Sequence, residues 1–479
     1  MTNLQSTRHL FSFLLLSLLL LLLLRPNSAT NPGFKVRITN AGLQYAKDTG
    51  VSVLSQKLKT LHIPDMSGKK GVFSYKVYQI SLQELSLPTS DILPVPGTGL
   101  KVSIANGFFR LSGRWSYKAL FVRDSGSFDL SLNSVGLTTV LRFTKDVGGR
   151  PTVQAVGCSA TVGDVHVKLH GGASWFYNLF RGPIGHNIRD NLKRQICPMV
   201  TNSVDKGLNE ILQTFPVKKN VDEFVMVDYS LTRDPEFLPK AVDLSCKGSF
   251  KSISHPVEPP FTALPMNMDN ATDKMLYLGV SEYLFNTAGF AFHSAGALNY
   301  LITNDMIPKE SPFRLDTSSI GRFIPEVQKQ YPNMLMEMRM LSNAPPAVTI
   351  QPKTTNLSAY ADILTFAILP NGSRAFLFSL NVSATMDAKL AFAGPKLKGV
   401  LDLKSLLMKQ LNSTVGTIPV ASIKLGVLFI LHYSVLPKVN DRLNKGIPLP
   451  DLKGVEIINP LLRSEQACVL IGLNLKYLG

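Results

Sequence analysis

Between residues 101 and 123 five cations, Lys101, Arg110, Arg114, Lys118 and Arg123, occur with no acidic residue before Asp124. Such side chains bind phosphate oxygens, arginine through a planar fork and lysine as a point charge. Arg110 and Arg114 share parity, so an unbroken strand places both on one face. Trp115 and Phe121 are expected near the intervening turn. Cations beside aromatic rings suit a lipid headgroup region, where phosphates meet acyl chains. A second basic group, Lys57, Lys59, Lys69 and Lys70, follows an amphipathic segment and enters a loop containing Gly68 and Gly71. A solvated basic face without a ligand would carry the same residue types.

No catalytic pattern accompanies these cations. The chain contains no GxxxxGK[ST], HExxH or GxSxG, the patterns that cradle phosphate, hold zinc or present a nucleophilic serine. Pro96-Gly97-Thr98-Gly99 lacks the third glycine of a dinucleotide loop and opens a strand. His166 and His170 share strand parity and are of metal-ligand type, but only Asp164 lies nearby. They read as solvent-facing residues between Val165, Val167 and Leu169. The expectation is a binding protein, with no catalytic cofactor and no metal.

The elements that position the cations follow from periodicity. Arg8 and His9 precede an almost unbroken Leu/Phe run from Leu10 to Leu24, and Asn27-Ser28-Ala29 ends it with small residues. This reads as a secretory signal over 1–29, too short for a span of about 20 residues. Secretion, to the extracellular space or a storage granule, is the expectation. Leu43, Ala46, Val53, Leu54, Leu58 and Leu61 share one helix face over 39–61, with Thr39 or Asn40 as cap. From 72 to 170 the period is two: Phe73, Tyr75 and Val77 lie on one face, and the phase then slips to Tyr78, Ile80 and Leu82, as a bulge requires. Phe128, Leu130 and Leu132 alternate likewise, as do Val165, Val167 and Leu169. A long antiparallel meander with one wet face results. Helical spacing returns over 174–213, at Phe176, Phe180, Ile184, Ile188, Leu192, Ile196, Val200, Val204 and Leu208. Pro183 and Pro198 are expected to kink or interrupt that helix.

About 450 residues exceed one core, so at least two domains are expected. Proline at 256, 259, 260 and 265 marks a linker, and the expected division is a first domain over 30–248, a linker over 249–270 and a second domain over 271–479. Ala41-Gly42-Leu43-Gln44-Tyr45-Ala46 is echoed by Ala288-Gly289-Phe290-Ala291-Phe292-His293. Pro198, Val200, Val204, Lys206, Gly207 and Leu208 are echoed by Pro437, Val439, Leu443, Lys445, Gly446 and Ile447. Two matches in one order indicate a duplicated domain of helix, sheet and long helix. Of the net charge of +17, residues 30–240 hold 26 Lys/Arg against 16 Asp/Glu, and residues 241–479 hold 22 against 17. Sequons at Asn270, Asn356, Asn371, Asn381 and Asn412 all fall in the second half. A glycan-free, more basic first half suits the end that faces a membrane.

Several segments resemble the bactericidal permeability-increasing/lipopolysaccharide-binding family. These are Asn31-Pro32-Gly33 before the first helix, Gly172-Ala173-Ser174-Trp175-Phe176-Tyr177-Asn178-Leu179-Phe180, and Met275-Leu276-Tyr277-Leu278-Gly279-Val280-Ser281-Glu282-Tyr283 with Phe285-Asn286-Thr287-Ala288-Gly289. Asp305-Met306-Ile307-Pro308-Lys309-Glu310-Ser311 and Leu436-Pro437-Lys438-Val439-Asn440 extend the likeness over nearly the whole mature chain. The resemblance implies an α+β boomerang of two pseudo-twofold-related barrels, each a twisted antiparallel sheet wrapped on a long helix, joined by a central sheet. It implies one phospholipid in an apolar pocket of each barrel, for which Leu54, Leu58, Phe180, Ile184 and Ile188 are candidate lining residues. It also implies a disulfide between Cys158 and Cys197. Cys246 and Cys468 lie outside that bridge, in strand-like segments, and either pair or remain buried thiols.

In the family, loops at the first barrel's tip carry lipopolysaccharide-binding cations. Where relatives show an Arg-Lys pair this chain has Tyr117-Lys118, which keeps one cation. The function implied is an innate-immune binder of lipopolysaccharide and anionic membrane lipid, bactericidal or neutralising, monomeric, with a host receptor as a further partner and no nucleic acid. Two other outcomes share the fold: a plasma lipid-transfer protein, and a lipopolysaccharide carrier that presents its cargo to a receptor.

Overall fold

The computed structural model of the chain describes residues 31–59, 64–171, 174–214, 216–269, 271–307, 314–393, 396–448 and 455–478. The signal expected over 1–29 and the sequon at Asn270 lie outside the described residues.

A six-stranded sheet at the centre takes three strands from each half of the chain. Phe34–Thr39 pairs antiparallel with Ala241–Cys246 on one side and with Leu276–Ser281 on the other. Leu276–Ser281 then pairs with Cys468–Tyr477, and that strand with Val455–Glu465. The two strands at the middle are equivalent: each has six residues, and a helix begins immediately after each, Asn40–Lys59 and Glu282–Ser294. Antiparallel pairing of equivalent strands is what a local twofold axis demands. The duplication is therefore present in the architecture, but the Ala-Gly echo is out of step with it. Ala41 is the second residue of its helix and Ala288 the seventh.

Each half adds a sheet that curls over a helix. In the first, Phe73–Ser86, Gly99–Ala119, Val122–Lys145 and Pro151–Thr161 form an antiparallel ladder with Met66–Lys70 at one edge. Thr89–Val95 pairs with the far end of Gly99–Ala119, and Val165–His170 with Val122–Lys145. Val77, Trp115, Phe128, Leu130, Leu132 and Val167 point inward onto Ile188, Leu192 and Ile196 of the long helix Ser174–Asn202. The expected phase slip occurs at Gln79, which takes φ = +53° within a register shift between Tyr78 and Ser81. Tyr78 stays on the outer side, opposite Arg114, so the slip brings Ile80 and Leu82, but not Tyr78, to the core. In the second half, Met336–Gln351, Thr354–Ile368, Arg374–Ala393 and Lys396–Ser413 wrap Val420–Ile430 in the same way.

Pro183 and Pro198 do not interrupt the long helix, which runs through both. The winding widens only at Ser203–Leu208, and the second-half helix widens likewise at Leu431–Val435. Residues 249–252 of the expected linker form a strand against Val225–Asp228, and Phe261 packs edge-on against Tyr283 and Phe290. Proline removes amide donors without preventing a chain from docking by its side chains.

An asparagine from a helix closes Pro151–Thr161, the edge of the first curled sheet, and Lys396–Ser413, the edge of the second beyond its short pairing with Ile447–Pro448. The Asn209 side chain accepts from Val153 N and donates to Val153 O, each at 2.8 Å. Asn440 does the same to Leu401, at 2.9 and 3.2 Å. A side-chain amide thus imitates a neighbouring strand and blunts an edge that would otherwise pair with another chain.

Cys158 and Cys197 are bonded, tying Pro151–Thr161 to the long helix. Cys246 and Cys468 stand on the central sheet with Phe34–Thr39 and Leu276–Ser281 between them. Strands about 4.8 Å apart set the two cysteines about 14 Å apart, twice the reach of a disulfide. Both remain buried thiols, and burial pushes their pKa values up to about 12 and about 11.

One buried charge group crosses the central sheet. Asp243 accepts from Arg37 Nε and Nη2 at 2.7 and 2.8 Å and from Lys35 Nζ at 2.7 Å. Arg37 also donates to the Met268 carbonyl. Burial alone would raise the Asp243 carboxyl, but hydrogen bonds and the two cationic charges hold it below the usual carboxylate range. A group with a lowered folded pKa stabilises above its unfolded pKa of about 3.9, and that stabilisation is lost as pH falls through the folded value. Asp243→Ala leaves two buried cations without their carboxylate and is expected to cost about 3–5 kcal/mol. Denaturant unfolding at pH 7 and pH 3 checks both statements: the variant is the less stable at pH 7, and the gap narrows in acid.

Candidate functional site

The candidate site is the free end of the first-half sheet, where two hairpins finish side by side. Gly71 and Val72 join Met66–Lys70 to Phe73–Ser86, and Leu120 and Phe121 join Gly99–Ala119 to Val122–Lys145. Register sets the neighbours: Lys69 stands opposite Ser74, Ser74 opposite Lys118, and Lys118 opposite Arg123. Directly opposed residues of an antiparallel ladder project to the same face. Lys69, Ser74, Lys118 and Arg123 therefore form a row across four strands, the second rung behind the turns. The three cations are exposed and make no ion pair among the described residues.

The next outward rung carries Ser67, Lys76, Ser116 and Ser125. Lys76 lies 2.9 Å from the Asp65 carboxylate and over the Tyr78 ring. Ser67, Ser74, Lys76, Lys118, Arg123, Asp124 and Ser125 line one shallow groove. Lys76 was not among the expected cations, although its alternation with Tyr75 and Val77 places it on the wet face. Hydroxyls and ammonium groups facing one groove supply donors for several oxygens of a phosphorylated ligand.

The other expected cations are distributed along the sheet. Arg114 shares the outer face, about 13 Å behind Lys118 at 3.3 Å per residue. Arg110 lies about 26 Å behind, and its guanidinium is 3.1 Å from the Glu84 carboxylate. Lys101 sits at the opposite end of the same strand, facing Leu93 and Val140. The side chains of Lys57, Lys59 and Lys70 lie outside the described residues.

Trp115 is not near the turn. It points inward, stacks with Tyr117 and donates from Nε1 to Ser127 O at 2.9 Å. Phe121 is at the apex and fully exposed. Strand alternation also accounts for the Tyr117-Lys118 pair, since Tyr117 is buried and Lys118 faces out.

Of the expected pocket residues Ile188 is buried in the first-half core. The side chains of Leu54, Leu58, Phe180 and Ile184 lie outside the described residues. In the second half Ile307, Phe323, Phe378, Ile423 and Val427 line an apolar cavity of about 30 Å³, with Arg314 at its wall. His166 and His170 are on the outer face, with His170 2.8 Å from Asp129. No group of three metal-ligating side chains occurs among the described residues.

Two helix-filled antiparallel sheets that share a central sheet, one ending in a cationic row, define a two-domain α+β protein with a basic end. The chain belongs to the LBP / BPI / CETP family: residues 42–215 match its N-terminal domain and residues 219–477 its C-terminal domain. It is 38% identical over 455 residues to the bactericidal permeability-increasing protein of Sebastes schlegelii, covering 94% of this chain and 96% of that one. It is 33% identical over 470 residues to the lipopolysaccharide-binding protein of Homo sapiens, covering 96% and 98%. A crystal structure of lipopolysaccharide binding protein matches at a TM-score of 0.63 and 30% identity, over 94% of this chain and 100% of that one. The expected family and two-barrel α+β fold are both borne out.

Lys118 and Arg123 are like charges directly opposed, an arrangement that costs about 0.2–1 kcal/mol. Arg123→Thr is accordingly expected to raise the thermal midpoint slightly, by about 1–3 °C for a domain of this size, an increase that 0.5 M salt should shrink. A lower midpoint would mean that the row is held together by contacts other than those described.

Proposed function

We propose that this chain is a secreted, non-catalytic protein of innate immunity that binds lipopolysaccharide of Gram-negative bacteria through its first-domain tip. The observation that carries this reading is the row of Lys69, Lys118 and Arg123, three exposed cations on one rung without carboxylate partners among the described residues. Lipid A presents phosphates at the boundary between sugar and acyl chains, and a row of cations at the end of a rigid ladder meets that boundary without reorganisation. The relatives' names support this ligand, and the charge excess of the first half attracts anionic surfaces. Arg110 is assigned no part, because Glu84 already neutralises it.

A phospholipid between helix and sheet in each domain belongs to the same proposal. Ile188 and the apolar wall around Ile423 and Val427 supply surface for acyl chains, each buried methylene contributing about 0.8 kcal/mol. Glycans are assigned to Asn371, exposed in the turn after Thr354–Ile368, and to Asn412, exposed near the end of Lys396–Ser413. Asn356 and Asn381 are half-buried in strands, and Asn381 donates to Asp362 at 2.9 Å.

The test is lipopolysaccharide binding by the mature protein over a salt series, beside a Lys69→Ala/Lys118→Ala/Arg123→Ala variant and Arg110→Ala. Binding should weaken with salt, fall at least about tenfold in the triple variant and hold in Arg110→Ala. A triple variant that binds as the parent does would remove the site assignment. Phospholipid extraction without any lipopolysaccharide binding would favour the lipid-transfer function. Enzymatic deglycosylation in heavy-oxygen water should mark Asn371 and Asn412 and leave Asn356 and Asn381 unlabelled; label on Asn381 would contradict its buried position.

A further inference from the structure

The segment that joins the two halves is fastened to the centre partly by sulfur. Among the described residues of 253–275 there is no helix or strand, so side chains hold the segment in place. Lys247 and Lys251 pair with Glu258, and Asn31 donates to the Ala263 carbonyl at 3.0 Å. Met266 and Met268 then lie across one face of the central sheet. With Ala271 they cover Tyr277, Cys468 and Leu470, while Leu278, Val280, Val469 and Ile471 face the main core on the other side.

Gly279 makes this fit possible. A Cβ there would overlap the Met266 sulfur and stand 3.2 Å from that of Met268, so both thioethers rest on strand backbone. That backbone has no donor to spare, because Leu276–Ser281 is paired on both sides, with Gly279 between Lys35 and Leu470. Met268 is 2% exposed, whereas Met266 is half-buried and open to a small reagent. The sulfur of Met275 accepts from Leu475 N at 3.4 Å. A sulfoxide oxygen would still accept that bond, which leaves Met266 as the sensitive position.

We propose that Met266 is an oxidation site that latches the connecting segment: conversion of its thioether to the sulfoxide by a two-electron oxidant of the peroxide class frees the segment from the sheet. The sulfur lone pair attacks one oxygen of hydrogen peroxide. An S–O bond forms as the O–O bond breaks, and the departing hydroxide takes the proton of the transferred oxygen and leaves as water. Sulfur is oxidised by two electrons and peroxide is reduced by two. The product is polar and chiral where the thioether was flexible and apolar. Its oxygen meets no donor on the paired strand, and a buried acceptor left without a donor disfavours the closed segment. As Met268 follows, Arg37 gives up its bond to the Met268 carbonyl, so the change reaches the buried charge group. Sulfoxide reductases reverse the chemistry, which lets the latch close again. Nothing in this inference depends on what the tip binds.

Cys468 reports the state of the latch, because it packs with Met268 on the face that carries Gly279. The purified mature protein is treated with hydrogen peroxide, cleared with catalase and labelled with N-ethylmaleimide. Peptide mass spectrometry then follows Met266, the exposed Met199, Cys468 and Cys246. Labelling of Cys468 should become at least about tenfold faster once Met266 is the sulfoxide. It should slow again after a methionine sulfoxide reductase, and stay slow in peroxide-treated Met266→Leu. Met266→Gln, polar and of similar length, should label fast without peroxide. Cys246, buried in the main core, should stay slow in every sample. The proposal is overturned if Met266 resists peroxide that oxidises Met199, if Cys468 stays slow beside Met266 sulfoxide, or if Met266→Leu opens as the parent does. Equal acceleration at Cys246 would mean general unfolding and would overturn it as well.

Discussion

Everything in this molecule hangs on the pairing of Phe34–Thr39 with Leu276–Ser281. Those strands are some 240 residues apart in the chain, and neither half can finish its share of the central sheet without the other. Asp243 locks the arrangement from inside, because Lys35 and Arg37 both need its carboxylate and Arg37 also reaches the Met268 carbonyl of the connecting segment. Gly42 shows how close the halves stand: a Cβ there would lie 2.3 Å from Met275 O. With the centre paired in this way, the two curled sheets extend from it, and the candidate site lies at the free end of the first.

The elements were largely legible from residue alternation. Phe128, Leu130 and Leu132 repeat with period two and all face the core, and the phase slip after Val77 announces the bulge at Gln79. Ile188, Leu192 and Ile196 show the helical period that packs under them. The disulfide was reachable only through the family resemblance, since four cysteines leave three pairings open. What sequence does not contain is register. Nothing in the spacing of Lys69, Lys118 and Arg123 says that they share one rung, because that depends on where two hairpins turn. Nor does it say that Glu84 will meet Arg110, which lies 26 residues away across a bulged pair of strands. Trp115 looked like a tip residue by proximity and went inside by parity.

At the tip, several residues are placed against local stability. Lys118 faces Arg123 across the ladder, Leu120 holds a left-handed backbone, and Phe121 gives its whole side chain to solvent. Each choice is unfavourable for an isolated protein. They are tolerated because the sheet behind them is well anchored, with Trp115, Tyr117 and Phe128 buried beneath the outer rungs. The second half shows the opposite character at its far end, where Asn371 and Asn412 are exposed and the cation row has no counterpart among the described residues. Duplication supplied two copies of one scaffold, and the loops then diverged, as expected when function is carried by turns on a conserved frame.

The placement of Cys468–Tyr477 has a consequence for biosynthesis. This strand covers the outer side of Leu276–Ser281, which in turn covers Phe34–Thr39. A ribosome releases the chain from its amino end, so the first strand of the centre is made long before the last. At 5–20 residues per second the interval is about 20–90 s. For the last part of that time, about 10–40 s between Ser281 and Cys468, the nascent central sheet keeps an unpaired apolar edge, Leu276, Leu278 and Val280 among its residues, while the first arm can already be folded and disulfide-bonded. Correct folding of this protein therefore depends on shielding one strand until Cys468–Tyr477 has been made.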